Sequence, residues 1–219
     1  MTLHAQPART PALARRRPGL HAVPSQPDVI VPGAGTIAPG QETVSDTHAK
    51  EFAEQQARVE LMQRLGLPTE ADALMDEFAD HLAEATGMVY AFVNLFLGEQ
   101  TFVGLHNPPA DSGHLILGRT MSREYGWCPA VVKRQRALPL PDVHASPRFA
   151  GNHVVDAVGI RAYFGSPLIH AETGITLGTV CTIDPEARPR ADARRLLDTV
   201  KAGGADVLHA LTSGTRASR

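Results

Sequence analysis

Two stretches near the end of the chain decide its fold: Arg161-Ala-Tyr-Phe-Gly-Ser-Pro-Leu-Ile-His170 and Ile175-Thr-Leu-Gly-Thr-Val-Cys-Thr-Ile-Asp184. Both are rich in β-branched and aromatic residues, and Glu172-Thr-Gly174 between them is typical of a tight turn. We therefore predict a hairpin of two antiparallel strands. Because side chains alternate along a strand, one face of the second strand is predicted to carry Leu177, Thr179, Cys181 and Ile183.

A second hairpin is predicted upstream, over 88–97 and 100–105, with Gly98-Glu99 as its turn. Apolar residues recur at helical spacing in three longer segments. These predicted helices cover 48–64 with Asp46 or Thr47 as cap, 70–86 between Thr69 and Gly87, and 190–211 with Leu196, Val200, Val207 and Leu211 along one stripe. Shorter predicted elements are a strand at 115–117, a helix from Cys128-Pro129 to Arg136, a strand at 137–140 and a helical turn at 153–158.

This order of elements predicts an α+β fold with a central antiparallel sheet. The terminal helices are expected on one face, and the irregular segment 106–160 is expected to cover the other. Such a cover leaves a pocket between the sheet and the loops, which is a common place for a small-molecule site. In the last helix, Gly203-Gly204 is expected to let a neighbouring element approach closely, although each glycine costs about 1 kcal/mol relative to alanine.

Composition narrows the class of protein. The chain has 219 residues, 43% hydrophobic, with a formal net charge of −2, which predicts one soluble domain and no nucleic-acid partner. No stretch is apolar for long enough to span a membrane, and no export signal is evident, so we predict a cytoplasmic protein. The only two cysteines, Cys128 and Cys181, exclude a disulfide framework, and the spacing of the histidines predicts no metal site.

The first 47 residues contain seven of the 17 prolines and no aromatic residue. Such a segment buries too little apolar surface to offset its conformational entropy. We therefore predict a disordered tail over 1–47, a folded domain over 48–212 and a short disordered tail over 213–219.

Several strings within this domain resemble the GAF domain family. They are Gly126-Trp-Cys128, Leu140-Pro-Asp142, Ser146-Pro-Arg-Phe-Ala-Gly-Asn152, Gly159-Ile-Arg-Ala-Tyr-Phe-Gly-Ser-Pro-Leu168 and the stretch from Gly174 to Asp184. The resemblance covers about residues 60–210. It implies a six-stranded antiparallel sheet with a ligand pocket on one face and, on the other, helices that often mediate dimers.

The resemblance implies a non-enzymatic sensory or regulatory module that binds a small molecule and signals through a protein partner, with a homodimer through the terminal helices as a further expectation. Two alternatives stay open. One is a thiol-based redox sensor, or an enzyme similar to free methionine sulfoxide reductase, centred on Cys128. The other is an interaction domain of GAF type that has lost its ligand.

Special members of the family test these alternatives. Photoreceptor members attach a bilin through a cysteine that histidine commonly follows, but Pro129 follows Cys128, so no covalent bilin is expected. The free methionine sulfoxide reductases carry paired acids in the last strand, where this chain has Cys181 and Ile183. The N-K-x-n-F-x-x-x-D-E motif of cyclic-nucleotide-binding members is missing. The cofactor therefore stays unknown.

Cys128 is the leading candidate for chemistry, because a thiol at a helix N-terminus has a lowered pKa. The alternative is a small buried side chain without a chemical role. Asn94 interrupts an apolar strand, and a buried amide needs hydrogen-bond partners or a ligand. Asp142 and Arg148 are predicted to stabilise turns, Asp142 by accepting backbone N–H bonds and Arg148 by pairing with an acid or with loop carbonyls. The predicted ligand-binding set is Phe92, Asn94, Trp127, Cys128, Phe164, Ser166, Thr179 and Cys181.

Overall fold

Six strands form one antiparallel sheet in the computed structural model, which describes residues 44–213. In chain order they are β1 (Tyr90–Phe96), β2 (Gln100–His106), β3 (Thr120–Met121), β4 (Leu138–Leu140), β5 (Ala162–Ile169) and β6 (Thr176–Asp184). Their order across the sheet is β3-β2-β1-β6-β5-β4, so the two predicted hairpins meet at the centre through β1 and β6. The predicted α+β architecture is confirmed.

Residues 44–213 also form six α-helices. They are α1 (Val44–Arg64), α2 (Ala73–Thr86), α3 (Cys128–Arg134), α4 (Pro147–Ala150), α5 (His153–Val158) and α6 (Ala193–Thr212), with single 3-10 turns at Val143–Ala145 and Arg190–Asp192. Among the helices of residues 44–213, none combines the length and the apolar character that crossing a membrane requires.

The first two helices begin at other residues than predicted. α1 begins at Val44, so Asp46 lies in its first turn instead of preceding the helix. α2 begins at Ala73 because Asp72, and not Thr69, is its N-cap and accepts a hydrogen bond from the Met75 N–H at 3.1 Å. Residues 1–43 and 214–219, which hold nearly all of the two predicted tails, lie outside the described residues.

One face of the sheet packs against the long helices, as predicted. The stripe Leu196, Val200, Val207 and Leu211 of α6 is buried in this core, together with Met75 and Leu82 of α2. A Cβ added to Gly203 would lie 3.2 Å from Leu82 Cδ1, and one added to Gly204 would lie 3.7 Å from the Ser166 side chain on β5. The two glycines thus let α6 approach both α2 and the sheet closely.

A β-bulge in β6 decides which side chains reach each face. Next to the turn, Ile169 pairs with Thr176, but Leu168 pairs with Gly178, so Leu177 is an extra residue. The bulge turns Leu177 toward the helices, whereas Cys181 and Ile183 face the opposite side. The prediction that Leu177 and Cys181 share a face is therefore wrong.

The opposite face is covered by the segment between β2 and β5, as predicted. The predicted strand at 115–117 does not form; Leu115 and Ile116 are each 56% exposed, and the edge strand is β3, a few residues later. Below this cover the second core contains Trp127 of the loop and Tyr163 of β5, whose rings lie 5.2 Å apart.

Candidate functional site

A cavity of about 370 Å³ lies between the sheet and this cover. Its floor is formed by side chains from β1, β2, β5 and β6, its roof by the chain from Leu117 to Cys128, and one wall by α5. The side chains that form most of it are Phe92, Phe102, Met121, Trp127, Val154, Tyr163 and Ile183. The rings of Phe92 and Phe102 are 4.8 Å apart, so the floor is largely aromatic.

Side-chain hydrogen bonds hold the roof in place. Gln100 at the start of β2 donates from Nε2 to the carbonyls of Ser122 at 2.7 Å and Tyr125 at 2.8 Å. Asn152 forms a pair of bonds with the backbone of Gly126, whose φ of 75° favours glycine at the entry to α3. Because these carbonyls and N–H groups are tied to side chains, the cavity is preformed.

The two cysteines meet on the cavity surface although 53 residues separate them in sequence. Cys128 opens α3, and Cys181 faces the cavity from the centre of β6, with 3.5 Å between the Sγ atoms. Tyr163 Oη lies 3.5 Å from Cys128 Sγ. Tyr163 reaches this place because Gly165 has no side chain: a Cβ there would lie 2.1 Å from Tyr163 Oη.

The pair shifts both thiol pKa values in opposite directions. A hydrogen bond from the Cys181 thiol lowers the pKa of Cys128 to about 7, against the raising effect of burial, and polar groups of Thr179, Tyr163 and Asn94 also favour the thiolate. The same bond, together with burial, raises the pKa of Cys181 well above its ordinary value. The two thiols therefore share the first proton loss, and the N-terminus of α3 favours the negative charge at Cys128.

Asn94 and Thr179 lie opposite each other on β1 and β6, beside the Cys128 sulfur. Asn94 donates from Nδ2 to Gln100 Oε1 at 2.9 Å, which links the cysteine pair to the residue that holds the roof. Asn94 Oδ1 and Thr179 Oγ1 are buried and find no hydrogen-bond partner within residues 44–213. The hydroxyl of Thr179 is therefore available to donate to a thiolate at Cys128.

The structure divides the predicted ligand-binding set. Phe92, Trp127, Cys128 and Cys181 line the cavity, and Asn94 and Thr179 lie next to Cys128. Phe164 and Ser166 do not belong to the site. Phe164 is buried in the core under the helices, and Ser166 lies beside Gly204 of α6.

The bulge at Leu177 is the physical reason for this correction. Without an extra residue, the pair Ile169–Thr176 would place Ser166 opposite Thr179, on the same face of the sheet. With it, Ser166 pairs with Val180 and both face the helices, while Tyr163 and Gly165 face the cavity beside Cys181. Sequence reasoning therefore missed Tyr163, although alternation from Cys181 with the correct register would have identified it.

Asp142 and Arg148, the two residues predicted to stabilise turns, contact neighbouring residues of the chain. Asp142 accepts a hydrogen bond from the His144 N–H at 3.1 Å and forms an ion pair with Arg161 at 3.0 Å. The hydrogen bond from Arg161 lowers the pKa of the Asp142 carboxyl. Arg148 lies over the ring of Phe149, with its guanidinium carbon 5.5 Å from the ring centroid. Among the described residues Arg148 forms no ion pair, so the predicted acid partner is not observed.

Charge is nearly absent from the cavity wall. Among the residues that the structure describes, no Asp, Glu, Lys or Arg lines the cavity. The ring of His153 lies 4.7 Å from that of Tyr125 at the edge of the cavity. Within the same residues, no group of three His, Cys, Asp or Glu side chains is arranged to hold a metal ion.

Several solved structures are similar to this chain. The free methionine-R-sulfoxide reductase from Neisseria meningitidis, solved with its substrate, is 17% identical with a TM-score of 0.48 over 82% of this chain and 98% of its own. The GAF domain of phosphoenolpyruvate-protein phosphotransferase from Acinetobacter is 14% identical, with a TM-score of 0.45 over 77% of this chain and 98% of its own. The PixJ GAF domain from Thermosynechococcus elongatus, in its blue-light absorbing form, is 12% identical, with a TM-score of 0.44 over 74% and 89%.

The comparison with curated protein sequences gives no match. The family model of the GAF domain matches residues 70–201, from the start of the α2 region to the middle of α6. This match includes all six strands and every residue that lines the cavity. The chain therefore belongs to the GAF domain family.

Proposed function

We propose that this chain is a sensory module that binds a small, neutral and largely apolar molecule in the cavity and signals to a protein partner. The observation that carries the proposal is the preformed cavity, whose largely aromatic wall has no Asp, Glu, Lys or Arg side chain among residues 44–213. An anionic ligand placed there would lose its hydration without gaining a counter-charge. The volume of about 370 Å³ is at the small end of ligand pockets, which span about 300–1,000 Å³.

The wall also favours binding over the reductase alternative. Free methionine sulfoxide carries both an ammonium and a carboxylate, and burying them unpaired is costly. Cys181 and Ile183, which occupy the strand positions where the resemblance leads one to expect acids, both face the cavity. We therefore propose a non-enzymatic role toward this class of substrate.

The first half of α1 is the surface that we propose for the partner, which includes a second copy of the chain. Residues 45–54 of α1 are exposed, apart from the half-buried Thr47, and Phe52 is 65% exposed. The second half is held to the domain by Leu61 and Met62 in the core. The apolar stripe of α6, the other terminal helix, is already buried under the sheet, so α1 is the better candidate for signalling.

The proposal is tested with two aromatic probes of similar shape, neutral naphthol and anionic naphthoate. Naphthol is expected to raise the free energy of unfolding by about 2.7 kcal/mol at a hundredfold excess over its Kd, which thermal unfolding detects as a higher Tm. Naphthoate is expected to leave the Tm unchanged. Native mass spectrometry of the freshly purified protein is expected to show a non-covalent adduct and to report whether the chain is a dimer.

A pair of matched variants locates the binding. Ala157 lies at the exposed edge of the cavity on α5, so Ala157→Trp fills the entrance without changing the core. Ala202→Trp makes the same change at an exposed position of α6 outside the cavity. Naphthol binding is expected to be lost in the first variant only. Equal responses in both, or no response in the wild type, would leave the interaction domain without a ligand as the better description.

A further inference from the structure

The two cysteines are placed to react with each other. Their Sγ atoms are 3.5 Å apart, and both thiols line the cavity, so a small molecule in the cavity can reach them. A disulfide has an S–S length of about 2.05 Å, so the two sulfur atoms must approach each other by about 1.5 Å to form one. We propose that Cys128 and Cys181 form a redox pair, which an organic hydroperoxide bound in the cavity converts into a disulfide.

The surroundings assign different roles to the two thiols. Cys128 has the lowered pKa and lies beside the hydroxyls of Tyr163 and Thr179, so it supplies the thiolate that attacks. Burial and the neighbouring thiols raise the pKa of Tyr163 well above its ordinary value, so its hydroxyl stays protonated and able to donate. Cys181 has the raised pKa, stays a thiol and keeps a proton for the second step.

The chemistry proceeds in two balanced steps. In the first, the Cys128 thiolate attacks the terminal oxygen of the hydroperoxide, the O–O bond breaks, and the alcohol leaves with the proton that Cys128 gave up, so that Cys128 becomes a sulfenic acid. In the second, the Cys181 sulfur attacks the Cys128 sulfur, the S–S bond forms, and the hydroxyl leaves as water with the proton of Cys181. The two thiols lose two electrons, and the hydroperoxide is reduced to an alcohol and water.

The cavity wall selects the class of oxidant. Phe92, Phe102 and Ile183 line the cavity together with the two thiols, so an apolar organic group on the hydroperoxide gains from burial there. Hydrogen peroxide lacks this group and has no such gain. We therefore expect cumene hydroperoxide to react faster than hydrogen peroxide at equal concentration, and this order separates a binding site from general thiol oxidation.

The experiment treats the reduced full-length protein with cumene hydroperoxide and measures its intact mass under denaturing conditions. Since the chain contains only two cysteines, the expected product is a monomer that has lost two hydrogen atoms and both free thiols, and that a dithiol reductant restores. Peptide mapping is expected to show Cys128 linked to Cys181. Glutathione in a parallel solution without the protein reports that the oxidant is active.

Two serine variants separate the roles of the thiols. Cys181→Ser is expected to stop at the sulfenic acid of Cys128, one oxygen heavier and trapped by dimedone. Cys128→Ser is expected to lose its remaining thiol at least about tenfold more slowly than the wild type, because burial raises the pKa of Cys181 even without the Cys128 thiol. If either variant fails to fold, the mass and the peptide map of the wild type still decide.

The proposal is wrong if the wild type keeps both thiols while glutathione is consumed, if the only disulfide joins two chains, or if Cys128→Ser reacts as fast as the wild type. None of these results bears on naphthol binding, which requires the cavity and not the thiols. Failure of the redox pair and failure of the proposed ligand site are therefore distinguishable.

Discussion

At Cys128, the thiol of a second cysteine is the group that most favours the thiolate. We expect ultraviolet absorbance to show a single thiolate that appears with a midpoint of about pH 7 in the wild type. In Cys181→Ala the main stabilising hydrogen bond is lost while burial remains, so this midpoint is expected to move upward. Cys128→Ala is the control and is expected to show no thiolate near neutral pH, because burial still raises the pKa of Cys181 when the contact with the Cys128 thiol is lost. An unchanged midpoint in Cys181→Ala would contradict the assignment.

Gly165 is the residue that makes the contact between Tyr163 and Cys128 sterically feasible. In Gly165→Ala the new methyl group would overlap Tyr163 Oη, which lies 2.1 Å from the Cβ position. Because both residues are buried, we expect unfolding by urea to show a loss of about 1–3 kcal/mol. The hydroxyl is expected to leave the sulfur, which lowers the rate of cysteine oxidation as well. Wild-type stability in this variant would show that Tyr163 has room to move.

At the scale of the element, the two neighbouring glycines of α6 are expected to respond differently to alanine. At Gly204 a Cβ makes ordinary contacts, 3.7 Å from Ser166, so Gly204→Ala is expected to raise the free energy of unfolding by up to about 1 kcal/mol through helix propensity. At Gly203 the same methyl group lies 3.2 Å from Leu82 Cδ1, so the gain is expected to be smaller. Urea unfolding of both variants measures the difference, and the reverse order would contradict it.

The sequence predicts elements well where local chemistry determines them. Both hairpins are found because β-branched runs flank tight turns, and α2 ends at Gly87 with a φ of 64°. The sequence does not predict which face of the sheet a side chain occupies where one extra residue changes the strand register. No composition or periodicity marks Leu177 as an extra residue, yet this bulge moves Ser166 from the expected site to the helix face.

The parts of the candidate site that depend on local sequence are predictable, and the contacts between distant residues are not. Cys128 stands out because it begins a helix after an aromatic residue, and the cavity then follows from the loop cover over the sheet. Its contact with Cys181 is a tertiary contact between residues 53 positions apart, which no local pattern encodes. The link from Asn94 to Gln100 is likewise formed only when β1 and β2 pair.

At the scale of the whole molecule, α3 connects the cavity to α1. The helix starts at Cys128 on the cavity, and near its end Lys133 forms an ion pair with Glu51 of α1 at 3.0 Å, which lowers the pKa of the Glu51 carboxyl. Just past α3, the Gln135 side chain donates a hydrogen bond to Thr176 Oγ1 at 3.1 Å. The backbone carbonyl of Thr176 in turn accepts a hydrogen bond from the Arg58 side chain of α1. A ligand or a disulfide that shifts α3 therefore acts directly on the contacts of α1.

Removing one of these contacts is expected to loosen α1 without unfolding the domain. An exposed ion pair contributes about 0–1 kcal/mol, so in Lys133→Gln we expect amide hydrogen exchange in residues 44–54 to rise by up to about fivefold while the urea midpoint stays the same. Lys201→Gln makes the same change at an exposed position of α6 and is the control. Naphthol is expected to alter this exchange in the wild type and in Lys201→Gln, but less in Lys133→Gln, because the ligand acts on α1 through α3. An equal response in all three proteins would mean that the ligand reaches α1 through the sheet, and that α3 is not the connecting element.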